Sequence, residues 1–226
     1  MLDLEYVANR NFWVPTTIAV FILIGYAGVM YLLTFFVQNV QGKDATTVGF
    51  LQMAVFLGTS VAAYCSGRVL KKFSARTIMG SGILIFSSGI IMLSFVNLTT
   101  SFAYLFTAMS LVGVGAGLKT PVVKALVVSK ASVQRMNVVT FTNTVIENLA
   151  QRMGASFALV AFSIFSASGN NVGAVVNTSF VIMGFIVIAL LFLPLIPKTI
   201  HGIHTSEEDL VGTKILPKPL NTEEIK

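Results

Sequence analysis

The sequence predicts an all-α polytopic membrane protein: six transmembrane helices forming two inverted three-helix repeats. Three observations carry that expectation. Of the 226 residues, 55% are hydrophobic and only 11% charged, where a soluble domain carries about 25% charged residues. Six apolar runs each reach the ~20 residues that cross a bilayer at ~1.5 Å rise per residue. The basic residues fall between these runs and gather on one side.

In chain order, residues 1–12 form a cytoplasmic lead-in. They contain Asp3 and Glu5 and lack a basic run at the start, so no cleavable signal peptide is expected. The first helix spans about 13–38, with Pro15 near its start, where a missing N–H is harmless. The next helices are expected at 46–66, 77–96, 102–127, 138–165 and 174–194, closing a transmembrane domain over 13–196. Proline and charge take over in 197–226, which reads as a polar, disordered cytoplasmic tail.

Orientation follows from lysine and arginine. Six alternating helices put Arg10, Arg68, Lys71, Lys72, Arg76, Lys130, Arg135 and Lys198 on one face, and only Lys43, offset by Asp44, on the other. Positive residues stay on the cytoplasmic side, so both termini are expected in the cytoplasm of a cell with the chain in its plasma membrane. Six helices with both ends on one side also fit two three-helix copies inverted in the membrane, an arrangement common in secondary transporters, although no residue-level repeat is evident. The net charge of +6 belongs to these loops, so it points to membrane topology and not to nucleic acid. A single cysteine, Cys65, excludes an internal disulfide or zinc framework. His201 and His204 lie in the tail as solvated side chains, and no metal or other cofactor is expected. The acids, histidines and nucleophile–base pairs that a membrane enzyme needs are not clustered anywhere, which argues against an enzyme.

The charges inside the apolar runs are the candidate site. A charge in hydrocarbon costs a few kcal/mol or more, about +2.5–3.5 on insertion scales, so it marks function by default. Lys119 lies ~10 Å above the cytoplasmic end of helix four, Glu147 ~14 Å and Arg152 ~21 Å into helix five, by the helical rise. Lys119 and Glu147 are therefore expected at similar depth, either paired or sharing a water-filled cavity. A structural tie between the two helices and a carboxylate that exchanges a proton against substrate both fit. Lys124, nearer the end, is expected to snorkel to the headgroups. Asn143, Glu147 and Gln151 follow i, i+4, i+8 spacing, with Asn148 and Arg152 as a neighbouring stripe, so helix five presents one polar side to a cavity or partner. Gln38, Gln52, Tyr26 and Tyr31 could add polar groups from helices one and two, with interhelical hydrogen bonding the simpler role.

Gly113, Gly115, Gly117 and Pro121 mark helix four. Small residues allow close helix packing, and the proline adds a bendable point one turn after Gly117; the two readings can hold together. Gly67, Arg68, Lys71, Lys72 and Arg76 form a tight basic loop, read as a topology determinant in contact with lipid headgroups.

Together these features resemble the C-terminal six-helix half of a major facilitator superfamily transporter, of the fourteen-helix drug/proton antiporter type. The resemblance lies in Leu2-Asp3-Leu4 with Asn9-Arg10-Asn11-Phe12, in Gln38 to Gly42 with Gly49, and in the Gly-rich run Gly113 to Pro121. Gly67-Arg68-Val69 through Lys72-Phe73 and Arg76 is similar to the superfamily's loop motif, with Lys71 where that motif has an acid and Ser74 for its second glycine. Asn148 to Ser156 is similar to the family's Asn-x-x-Arg-Gln-x-Gly-Gly-Ser, with the Arg-Gln order inverted and Ala155 for a glycine. The resemblance implies a half bundle that exports a drug-like or amphipathic small molecule in exchange for protons. Its partners would be lipid, substrate, protons and a second transporter half, either an N-terminal half or a second copy. The competing expectation is a non-transporting membrane subunit or an inactive fragment of a transporter gene.

Overall fold

A computed structural model describes residues 10–70, 72–129, 131, 136–167 and 169–196. Six helices are long and apolar enough to cross a membrane, as expected from the hydropathy. They are α1 (Arg10–Phe35), α2 (Ala45–Val69), α3 (Ala75–Leu93), α4 (Phe102–Val128), α5 (Met136–Ser166) and α6 (Asn171–Phe192). α1 continues into a π-helical turn, Phe36–Val40, and α6 into a 3-10 turn, Leu193–Leu195.

Helix ends follow their capping residues. Ser74 opens α3 by accepting from the Thr77 N–H at 3.2 Å, Ser101 opens α4 by accepting from Tyr104 at 3.3 Å, and Asn170 opens α6 by accepting from Gly173 at 2.9 Å. Each satisfies one of the N–H groups that a helix start leaves without a partner. Two expectations need adjusting. α1 begins at Arg10, so Pro15 lies in its second turn and removes an interior hydrogen bond. The basic loop expected over 67–76 is shorter, because α2 runs on through Gly67 and Arg68 and α3 already includes Arg76.

The packing scheme is an exchange between two units. α4 packs chiefly against α2 and α3, and α1 chiefly against α5 and α6; α1 also meets α4, and α3 meets α6. The neighbours α1 and α2 barely touch, and α4 touches α5 only lightly. Advancing every helix by three (α1 to α4, α2 to α5, α3 to α6) maps these contacts onto one another, except that α5 meets α6 while α2 and α3 scarcely touch. Each unit has an odd number of crossings, so the second runs opposite to the first, in accord with inverted repeats.

α4 lies at the centre, clamped by its glycines. A methyl group on Gly113 would overlap the Val55 backbone of α2, one on Gly117 the Thr59 carbonyl, and one on Gly115 the Phe86 backbone of α3. With no side chain in the way, three backbones stack in van der Waals contact. Thr59 Oγ1 donates to the Gly113 carbonyl at 3.1 Å and Ser66 Oγ to the Leu118 carbonyl at 2.8 Å, adding polar ties between α2 and α4. On the other unit, Gly154 of α5 comes against the Ile24 backbone of α1 in the same manner. The outer surface carries Phe50, Phe56, Tyr64, Phe141 and Leu191, as a surface facing acyl chains should.

Candidate functional site

Charge is rare inside the bundle. Within the described helices, away from their terminal turns, the ionisable acids and bases are Lys119, Lys124, Glu147 and Arg152. All four sit on α4 and α5.

Lys124 Nζ donates to Glu147 Oε2 at 2.9 Å and to Thr144 Oγ1 at 3.2 Å, joining α4 to α5. The lysine side chain is 34% exposed and the glutamate 17%. Lys119 is 4% exposed and forms no hydrogen bond or ion pair with any described residue. Glu147 and Lys124 are the charges within electrostatic reach of it. Of the two arrangements expected for Lys119 and Glu147, the ion pair is not formed, and Lys124 is the partner where snorkelling was expected. Depth alone suggested the first pairing; azimuth decides it. At about 100° per residue, five positions turn the helix by about 140°, so Lys119 and Lys124 cannot both face α5.

The polar side expected on α5 divides for a similar reason. Four residues overshoot a full turn by about 40°, so an i, i+4, i+8 series drifts around the axis. Asn143 is fully buried against α1, where its Oδ1 accepts from Thr16 Oγ1 at 3.0 Å while its Nδ2 has no partner. Glu147 turns to α4, and Asn148, Gln151 and Arg152 lie exposed. Sequence reasoning passed over Thr16 and gave Lys124 a lesser role. The signal for Lys124 was Thr144, one turn before Glu147 and so able to share the ammonium.

The other expected positions divide between packing and surface. Gly113, Gly115 and Gly117 serve as packing contacts, and α4 stays one helix through Pro121. Gln52 Nε2 donates to Thr34 Oγ1 at 3.4 Å, the interhelical bond expected of it. Beside the short turn after α2, the Arg68 guanidinium lies 4.2 Å from the centre of the Tyr64 ring, a cation–π contact. Lys72 is exposed and Arg76 half-buried, and a methyl on Gly67 would meet empty space. Lys71, Lys130, Arg135 and the tail from 197 lie outside the described residues. At the opposite end the π turn leads to Gln41, whose Nε2 donates to the Thr100 carbonyl at 3.1 Å. An open cavity of about 700 Å³ lies nearby, lined by Asn97, Asn170 and Asn177 among others, away from the charged residues.

Six apolar helices, with the charges away from helix ends kept to two of them, define a polytopic integral membrane protein built as a half bundle. The sequence profile of the Major Facilitator Superfamily matches residues 16–221, and the chain belongs to that family. It is 23% identical over 154 residues to multidrug transporter protein MdtP of Bacillus subtilis, an alignment covering 68% of this chain and 28% of that protein. Multidrug resistance protein 3 of the same organism is 24% identical over 151 residues, covering 65% and 30%. The chain thus spans less than a third of these relatives. Among solved structures, tetrameric PepTSo2 superposes with a TM-score of 0.69 at 21% identity, over 82% of this chain and 40% of that one. A structure from work on substrate recognition in proton dependent oligopeptide transporters reaches 0.71 at 20% identity, over 89% and 45%. At that identity the likeness shows the fold. Family membership also accords with the expectation of a protein other than an enzyme.

Proposed function

We propose that this chain is one six-helix half of a secondary active transporter that exports a drug-like or amphipathic small molecule in exchange for protons. The observation that carries the proposal is the partly buried Lys124–Glu147 pair between two helices that otherwise touch lightly. Glu147 is the only acid inside a spanning helix among the described residues. When its carboxylate takes a proton, the attraction to Lys124 falls and α4 is freed from α5. When the proton leaves, the pair reforms. Alternating access needs such a tie, one that a coupling ion can open and close.

The second half would be supplied by further sequence of the same polypeptide or by another chain. α5 is the least buried of the six spans, followed equally by α2 and α6, and α5 carries Asn148, Gln151 and Arg152 on open surface. Polar groups at that depth call for a protein or water-filled neighbour. The excess of basic residues on one face supports a cytoplasmic position for both termini.

The test is efflux of a fluorescent amphiphile from cells expressing the chain, alone and with a candidate second half. Efflux that stops when the proton gradient is collapsed, and that Glu147→Gln abolishes, is the expected result. Efflux unaffected by both, or none in any combination, rejects the proposal.

A further inference from the structure

The pairing of Lys124 with Glu147 leaves Lys119 without a counter-ion in contact among the described residues, Glu147 acting on it only from a distance. Three cations, Lys119, Lys124 and Arg152, share the helix interiors with one acid, and that acid is already engaged at 2.9 Å. An ammonium held in an apolar interior without a counter-charge is strongly disfavoured. At 4% exposure, Lys119 cannot regain much of its hydration shell. A second polar group is incompletely satisfied nearby in depth: the Asn143 amide is fully buried, with one end on Thr16 and the other without a partner. By the helical rise, Thr16 is ~9 Å, Asn143 ~10 Å and Lys119 ~13 Å from the same end of the bundle. They sit on α1, α5 and α4, each of which contacts the other two.

We propose that Lys119 receives a negatively charged group, a carboxylate or similar oxyanion on an amphipathic molecule, for which it is the counter-ion. The proposal rests on the transport reading above and names its substrate class. An ammonium offers three donors and an oxyanion several lone pairs, so one ligand group can satisfy Lys119 directly. A cationic ligand meets two lysines and a glutamate that is already taken. Moving Glu147 from Lys124 to Lys119 does not remove the asymmetry, because the excess of cations is unchanged.

The test uses the chain in phosphatidylcholine nanodiscs, with empty nanodiscs as the blank for partitioning. Two probes with one apolar body and opposite charge, 2-naphthoate and 2-naphthylmethylammonium, are titrated calorimetrically into wild type, Lys119→Met and Lys119→Arg. The expected result is that wild type binds naphthoate at least tenfold more tightly than the ammonium. Lys119→Met should lose that preference and Lys119→Arg keep it, with thermal unfolding confirming that each variant is folded. Should Lys119→Met fail to fold, the wild-type comparison of the two probes still decides. Naphthoate binding no tighter than the ammonium, no binding of either, or a folded Lys119→Met that keeps the preference overturns the proposal. Gradient-dependent export of a cationic dye alongside a failed naphthoate test would sink this substrate class and leave the transport reading standing. Naphthoate binding without any efflux would do the reverse.

Discussion

Lys124 and Glu147 close a 2.9 Å ion pair between α4 and α5, while Lys119, five residues before Lys124, stays buried with no hydrogen-bond or ion-pair partner among the described residues. Two lysines that look alike in composition are thus placed in opposite circumstances by about 140° of helical rotation.

The pair should contribute measurably to stability. Its side chains are 34% and 17% exposed, between the surface regime of about 0–1 kcal/mol and the buried regime of 3–5 kcal/mol. A double-mutant cycle with Lys124→Met and Glu147→Gln, followed by unfolding in mixed micelles, should give a coupling of about 1–2 kcal/mol. Additive effects within ~0.3 kcal/mol would mean the pair is not formed in the folded state.

The clamped glycines should separate sharply from the open one. Gly113→Ala forces a methyl into the Val55 backbone and should cost about 1–3 kcal/mol or prevent folding. Gly67→Ala, in the last turns of α2 with empty space around it, should leave stability unchanged or raise it by up to ~1 kcal/mol. Thermal unfolding of both variants is the check; equal effects would contradict the tight crossing of α2 and α4.

Ser66 should act as a polar tie between α2 and α4. Its hydroxyl donates to the Leu118 carbonyl at 2.8 Å. Interhelical bonds of this type average about 0.6 kcal/mol in membranes, with a maximum near 1.7. Ser66→Ala should therefore lower stability by about 0.5–1.5 kcal/mol by the same unfolding assay, and a neutral result would mean that bond is not made.

Asn143 and Thr16 should be coupled through their 3.0 Å bond. Thr16→Val and Asn143→Leu each leave one polar group of the other residue unpaired at full burial, at about 1–3 kcal/mol. The double variant should cost less than the sum of the singles, and a strictly additive cycle would argue against the contact.

The elements of this fold were legible because hydropathy is a one-dimensional signal. Runs of ~20 apolar residues are written locally, so six helices and their ends come within a few residues. Which helix meets which is non-local, yet the glycines of α4 foretold that something packs closely there. The charged residues inside the helices were legible in the sequence, and which of them pair was not. Depth along a helix follows from counting, whereas azimuth depends on where α5 stands around α4, which Lys119, Lys124 and Glu147 do not encode by spacing. Thr16 escaped notice because one hydroxyl in an apolar helix ordinarily bonds to its own backbone, as Thr34 does to Met30.

The proposed role of Glu147 as carrier of the coupled proton is tested most directly in vesicles containing the chain with a candidate second half, where a pH-sensitive dye follows proton movement when substrate is added to one side. Wild type should move protons with substrate, and Glu147→Gln should bind substrate yet move none. Proton movement in Glu147→Gln equal to wild type would contradict the account.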